Sequence, residues 1–160
     1  MKHLLTSLIL FASLTFGVAS CDKGNDPTSI QENGNSNVTN TNATGSKMKI
    51  TLGSTVFTAT LYDNPSVTAF KTRLPLTINM EDLNANEKFY YFSNNLPTSA
   101  AVGGNIQVGD LMLYGNDCLV LFYKGVNTSY SYTRLGKIDD VAVLVSALGS
   151  GNVTIKFENN

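Results

Sequence analysis

Two short runs of unbroken apolar residues, Leu111-Met112-Leu113-Tyr114 and Cys118-Leu119-Val120-Leu121-Phe122-Tyr123, stand only three residues apart. Successive side chains of a strand point to opposite faces. An unbroken apolar run therefore offers both faces to an apolar environment, and the strand that carries it must be covered on each side. The runs predict central strands at 111–115 and 118–124, and the rest of the chain has to supply their cover.

The neighbouring segments read as partners for such strands. Met48, Ile50 and Leu52 alternate with Lys47, Lys49 and Thr51, the pattern of a half-buried strand. Gly53-Ser54 makes a turn, and Phe57, Ala59 and Leu61 alternate with Thr58, Thr60 and Tyr62 on the return strand of a hairpin. Asn64-Pro65 opens a helix, with Asn as the cap and Pro at the first helical position. Val67, Phe70 and Leu74 follow at helical spacing, and Pro75 stops the helix. Further strands are predicted at 76–80, 88–92 and 129–135, while Gly103-Gly104 reads as a loose surface loop. Asp139 or Asp140 caps a second helix whose buried stripe is Val141, Leu144, Val145 and Leu148, with Gly149 and Gly151 ending it. In the last strand Val153, Ile155 and Phe157 share one face. The fold class that follows is mainly β: a closed or nearly closed β-barrel of about seven or eight strands with two short flanking helices.

The first twenty residues read as an export signal. Met1-Lys2-His3 is a short positive stretch, and Leu4 to Phe16 is a 13-residue apolar one, too short to span a bilayer comfortably. Val18-Ala19-Ser20-Cys21 then resembles a lipobox, in which a cysteine behind small residues takes a diacylglycerol on its thiol before cleavage after Ser20. The alternative is an ordinary signal peptide, cut at Ala19 or Ser20, that leaves a free thiol. On the lipobox reading, Cys21 is the expected lipidation site of a bacterial lipoprotein, anchored in the cell envelope to the inner or the outer membrane. In residues 22–46, sixteen of 25 are Asn, Ser, Thr or Gly. Such a segment cannot bury enough apolar surface to offset its ordering entropy, so it reads as a flexible linker with ends roughly 25–30 Å apart. The expected organisation is a signal peptide at 1–20, the acylated cysteine and disordered polar linker at 21–46, and a β-barrel domain at 47–160. No other apolar stretch is long enough to cross a membrane.

Charge and cysteine content narrow the partners. From Lys47 onward nine Lys/Arg are matched by nine Asp/Glu with no run of one sign, which argues against nucleic acid or an anionic lipid surface. With Cys21 acylated, Cys118 has no internal disulfide partner, and in its apolar run it reads as a small buried hydrophobe.

The order of these pieces resembles a known family. FTATLYDNPSVTAFKTRLP (57–75) is similar to the cyclophilin opening, where a strand ending in Leu-Tyr leads into an Asn- or Asp-Pro helix that carries an aromatic. YTRLGKIDDVAVLVSAL (132–148) resembles the family's closing segment, and NVTIKFE its last strand. NEKFYYF and VGDLMLYGNDCLVLFYKG are similar to small bacterial cyclophilin-like domains. The resemblance covers residues 48–158 and implies the cyclophilin-like barrel, but it does not bring the activity with it. Cyclophilins resemble one another around an Arg in a Phe-His-Arg strand, a Gln on the next strand, and a Trp and a His at the proline pocket. This chain has no Trp, its one His is His3, and no Phe-x-Arg strand follows the first helix. Arg73 reads instead as a solvated charge at that helix's last turn.

Several chemistries are excluded. Without a histidine beyond the leader there is no base for a nucleophilic triad and no histidine metal site. Asp82-x-Asn84-x-Asn86 starts like a calcium loop, but Glu87 stands where the glycine belongs and Ser93 where the closing glutamate does; a polar connecting loop is the reading. No Walker or dinucleotide glycine pattern is present, so neither metal nor cofactor is expected. One constellation remains. Tyr130, Tyr132 and Arg134 share a strand face by period two, and a guanidinium beside two phenols can bind a carboxylate or stack on a ring. With Tyr91, Tyr114 or Phe122 facing the same groove, these residues make a ligand-sized amphipathic pocket. The alternative is that Arg134 pairs with Asp139 or Asp110 and the tyrosines only cover the barrel. The expected function is a membrane-anchored, non-enzymatic binding or interaction domain for a small molecule, a glycan or a peptide. Its rivals are a divergent peptidyl-prolyl isomerase acting on exported proteins and a purely structural surface protein.

Overall fold

Lys47–Leu52 (β1) and Thr55–Leu61 (β2) pair antiparallel across the Gly53-Ser54 turn, and Met48, Ile50, Leu52, Phe57, Ala59 and Leu61 all turn to the buried side. They open a computed structural model in which residues 45–160 are described. The expected signal peptide, Cys21 and the linker as far as Thr44 lie outside the described residues. Asn64 caps the helix Pro65–Lys71 (α1) as its sequence predicts. Its Oδ1 accepts from the Val67 N–H at 2.9 Å while its Nδ2 donates to the Arg134 carbonyl at 2.9 Å. The helix ends at Lys71, earlier than Pro75 alone would require, because the Arg73 N–H and the Thr72 hydroxyl turn back onto the carbonyls of Phe70 and Ala69. Leu74 therefore lies beyond the helix.

The remaining elements are Leu76–Leu83 (β3), Glu87–Tyr91 (β4), Ala101–Ile106 (β5), Asp110–Tyr114 (β6), Cys118–Phe122 (β7), Val126–Ile138 (β8), Leu144–Leu148 (α2) and Val153–Asn159 (β9). Eight strands form a ring in the order β2-β1-β9-β3-β4-β7-β6-β8, closed by pairing of β8 with β2. The closing pairs are Ala59 with Ile138, Thr60 with Lys137 and Leu61 with Gly136. At the last of these a Cβ on Gly136 would lie 2.8 Å from Leu61 Cδ2 and 2.9 Å from the Thr60 carbonyl, so the absent side chain lets the two strands close. The mainly β, closed barrel with two short helices is thus the architecture the sequence predicts.

Three further elements differ from expectation. Gly103-Gly104 is not a loose loop but part of β5, which pairs along β8 with an irregularity between Val102 and Gly104, where Gly104 takes φ +62°. Strand β8 runs longer than expected. Its Tyr132–Lys137 portion pairs with β6, and its Val126–Tyr132 portion pairs with β5 on the edge that β2 leaves free. The second helix is shorter than predicted and has no side-chain cap. Asp139 instead holds Lys47 at 2.9 Å and accepts the Thr60 hydroxyl, and Asp140 accepts the Ala142 N–H at 2.9 Å. Of the predicted stripe, Leu144 and Leu148 are buried, Val141 is only partly buried, and Val145 is exposed.

The unbroken runs do have cover on both faces. Leu111 and Leu113 of β6 and Leu119 and Leu121 of β7 face the barrel core, which also receives Val67 and Phe70 from α1 and Leu144 and Leu148 from α2. Phe70 meets Phe92 and Phe157 at ring-centroid distances of 6.3 and 6.1 Å. The other face carries a second cluster: Met112 from β6, Cys118, Val120 and Phe122 from β7, Tyr132 from β8, and Ile106 from β5. Membership of Ile106, with Val126 packed against it, shows that the β5–β8 ribbon leaves the ring and folds over the outer face of β7. No helix among the described residues is long and apolar enough to cross a membrane.

Candidate functional site

Where the ribbon stands off the barrel it leaves a cleft of about 550 Å³. Strand register builds its floor. Glu87 pairs with Phe122, Phe89 with Val120 and Tyr91 with Cys118, so alternate residues of β4 and β7 present one outward face. Tyr114 of β6 pairs with both Cys118 and Tyr132, which extends that face to β8. Tyr132, Tyr130, Thr128 and Val126 then line the cleft from β8 at period two, and Leu83, Asn84 and Asn86 of the β3–β4 turn close one end.

The aromatic rings meet edge to face, except for the tilted pair Tyr132–Tyr114 at 49°. Tyr132 stands 5.7 Å from Phe122 at 78° and 5.4 Å from Tyr114; Tyr130 stands 6.1 Å from Tyr114 at 84°, and Phe89 5.7 Å from Tyr91 at 75°. This geometry favours ring contacts through their quadrupoles and leaves some ring faces open to a ligand. Tyr91 and Tyr130 are 58% and 64% exposed, whereas Phe122 and Val120 are buried, so the floor is fixed and the rim is open.

Burial, with some help from Glu87, pushes the Tyr132 phenol up to about 12. Burial also pushes the Cys118 thiol up to about 11, although a hydrogen bond with Tyr91 works the other way. A thiol so placed stays protonated and is a poor nucleophile. Desolvation raises the Glu87 carboxyl above its ordinary value. That residue is the one acidic side chain lining the cleft, and no lysine or arginine lines it.

Of the residues the sequence brings forward, the structure gathers Tyr91, Tyr114, Phe122, Tyr130 and Tyr132 into this one cleft. Arg134 is not among the lining residues. It lies opposite Met112 on the same face of β8, where Nη1 stands 3.8 Å from Asp110 and Nη2 donates to the Gly103 carbonyl at 3.3 Å. Of the two carboxylates considered for it, Asp110 is the partner and Asp139 is not. Arg73 is not simply solvated either: its guanidinium lies 4.4 Å from the centre of the Phe92 ring and donates to the carbonyls of Asn94 and Asn95. Asp82 serves as the acceptor for Lys88 and Tyr123. The sequence does not by itself assign Glu87, Phe89 and Val120 to this cleft, although counting back by twos from Tyr91 along NEKFYYF places Phe89 and Glu87 beside it.

Comparison with known proteins bears on the barrel that carries this cleft. No curated protein matches the chain. The solution structure of a hypothetical protein from Archaeoglobus fulgidus superposes with a TM-score of 0.54 at 14% identity, covering 76% of this chain and 99% of that one, a likeness of fold alone. The sequence profile described as the cyclophilin-like family matches residues 50–158, from within β1 to within β9, which takes in all of the closed ring but the start of β1 and the end of β9, and the ribbon over it. On that match, the chain belongs to the cyclophilin-like family.

Proposed function

We infer that this chain is a bacterial cell-envelope lipoprotein, held to a membrane by acylated Cys21, whose cyclophilin-like domain binds a small amphipathic ligand in the aromatic cleft. The observation that carries the reading is the cleft itself: about 550 Å³ with a buried apolar floor and a rim of tyrosines. That volume and that mix of apolar surface with a few polar groups suit small-molecule binding. A prolyl isomerase would need a donor aimed at the twisted amide. The lining holds no arginine, and Arg134 is engaged by Asp110 and Gly103, so binding is favoured over isomerisation. The lipid anchor rests on the lipobox-like Val18-Ala19-Ser20-Cys21.

A thermal-shift screen of small molecules against the full-length chain, repeated on Tyr132→Ala, tests the binding reading. Hits that stabilise the parent and not the variant support it, and hits indifferent to Tyr132 oppose it. Fatty-acid labelling of the parent and of Cys21→Ser tests the anchor. Label lost with Cys21 supports it, and label retained in Cys21→Ser places the lipid elsewhere.

A further inference from the structure

We propose that the cleft takes a small organic cation, an ammonium or guanidinium on an apolar or aromatic body, seated among the tyrosine rings with its charge beside Glu87. The inference rests on the cleft being a ligand site and adds the sign of the ligand's charge.

Three observations point the same way. The first is the isolation of Glu87. Its carboxyl belongs to a half-buried residue at the first position of β4, and none of the ion pairs among the described residues includes it. Lys88, next in sequence, points to the opposite face and is held by Asp82 at 2.6 Å. Arg134, on the cleft side of β8, is held by Asp110. A carboxylate withdrawn from water without a partner is a cost to the folded chain, and an incoming cation would offset it.

The second is the rings. Six aromatic side chains border the cleft, and cations are drawn to ring faces by the quadrupole, more strongly where water is excluded. The third is what is missing from the lining. With no lysine or arginine there, an anionic ligand would meet no countercharge and would face Glu87 directly, the like-charge arrangement that binding sites use for exclusion.

Three phenols with the same two-carbon arm test the charge: tyramine, uncharged 4-ethylphenol and 4-hydroxyphenylacetate. Their dissociation constants for the full-length chain are read by saturation-transfer NMR, with Glu87→Gln and Tyr132→Ala in parallel. Tyramine should bind roughly tenfold more tightly than 4-ethylphenol, and 4-hydroxyphenylacetate should bind most weakly. Glu87→Gln should bring tyramine level with 4-ethylphenol, and Tyr132→Ala should weaken both. If the carboxylate binds as well as the amine, or the preference survives Glu87→Gln, the charge assignment falls while the cleft still stands as a ligand site. If none of the three binds, or binding ignores Tyr132→Ala, the cleft reading itself falls.

Discussion

Lys88 Nζ stands 2.6 Å from Asp82 Oδ2, and the lysine has no solvent exposure at all. The same ammonium donates to the carbonyls of Gly149 and Gly151 and lies 5.1 Å from the centre of the Tyr123 ring, while the Tyr123 hydroxyl donates to the same Asp82 oxygen at 2.7 Å. One buried charge thus ties the β3–β4 hairpin to the turn that follows α2. Lys88→Ala would take the ammonium from the Asp82 carboxylate, leaving it the Tyr123 hydroxyl, and would leave two carbonyls without their donor. It should lower the free energy of unfolding by about 3 kcal/mol, the low end for breaking a buried pair because Asp82 keeps some contact with water. Urea denaturation checks this, and a change below about 0.5 kcal/mol, the range of an ordinary surface substitution, contradicts it.

The same pair sets a pH dependence. The hydrogen bond from Lys88, then that from Tyr123, holds the Asp82 carboxyl below its ordinary value of 3.8. A carboxyl whose value is lower in the folded state contributes stability above its unfolded value and loses it as pH falls through the folded one. Glu158, held down by Lys156 and Lys49, acts in the same sense. The urea midpoint should therefore fall between about pH 5 and about pH 2, and it should fall less steeply in Asp82→Asn. An equal fall in that variant would show that Asp82 is not a source of the acid sensitivity.

Closure of the ring makes its own demand at Gly136. A methyl group there meets the Thr60 carbonyl and Leu61 Cδ2 inside van der Waals distance. The leucine can shift but the backbone carbonyl cannot without disturbing the β2–β8 pairs. Gly136→Ala should destabilise by about 1–3 kcal/mol, read as a lowered thermal midpoint. An unchanged midpoint would mean that β8 can move away from β2 at little cost.

The ring was legible in the sequence because its strands carry their burial in period two, as Met48-Ile50-Leu52 and Phe57-Ala59-Leu61 do, or bury both faces, as Cys118–Phe122 does. Strand β5 was not, because Gly103 and Gly104 have no side chains to alternate and the strand exists through its pairing with β8. Lys88 reads locally as a polar strand residue; its burial depends on carbonyls from Gly149 and Gly151, 61 and 63 residues away in sequence. Tyr130 and Tyr132 could be placed on one face from sequence. Arg134 shares that face, yet Asp110 sits beside it only because β6 and β8 pair with an irregularity between Leu111 and Met112. The part played by Glu87 and Phe89 depends on β4 lying next to β7, a neighbour relation that no local pattern encodes.

Tyr130 is exposed on the rim, so Tyr130→Ala should change stability by no more than about 0.5 kcal/mol and still weaken ligand binding. Ligand binding in the aromatic cleft is read from backbone amide shifts of the isotope-labelled full-length chain during titration with tyramine. The largest shifts should fall at Glu87, Phe89, Val120 and Tyr132, and they should shrink in Tyr130→Ala at equal ligand. Shifts confined to the shallow groove of Asp63, Asn64 and Thr68, or to the hollow between Val56 and Asp140, would contradict the assignment of the aromatic cleft as the ligand site.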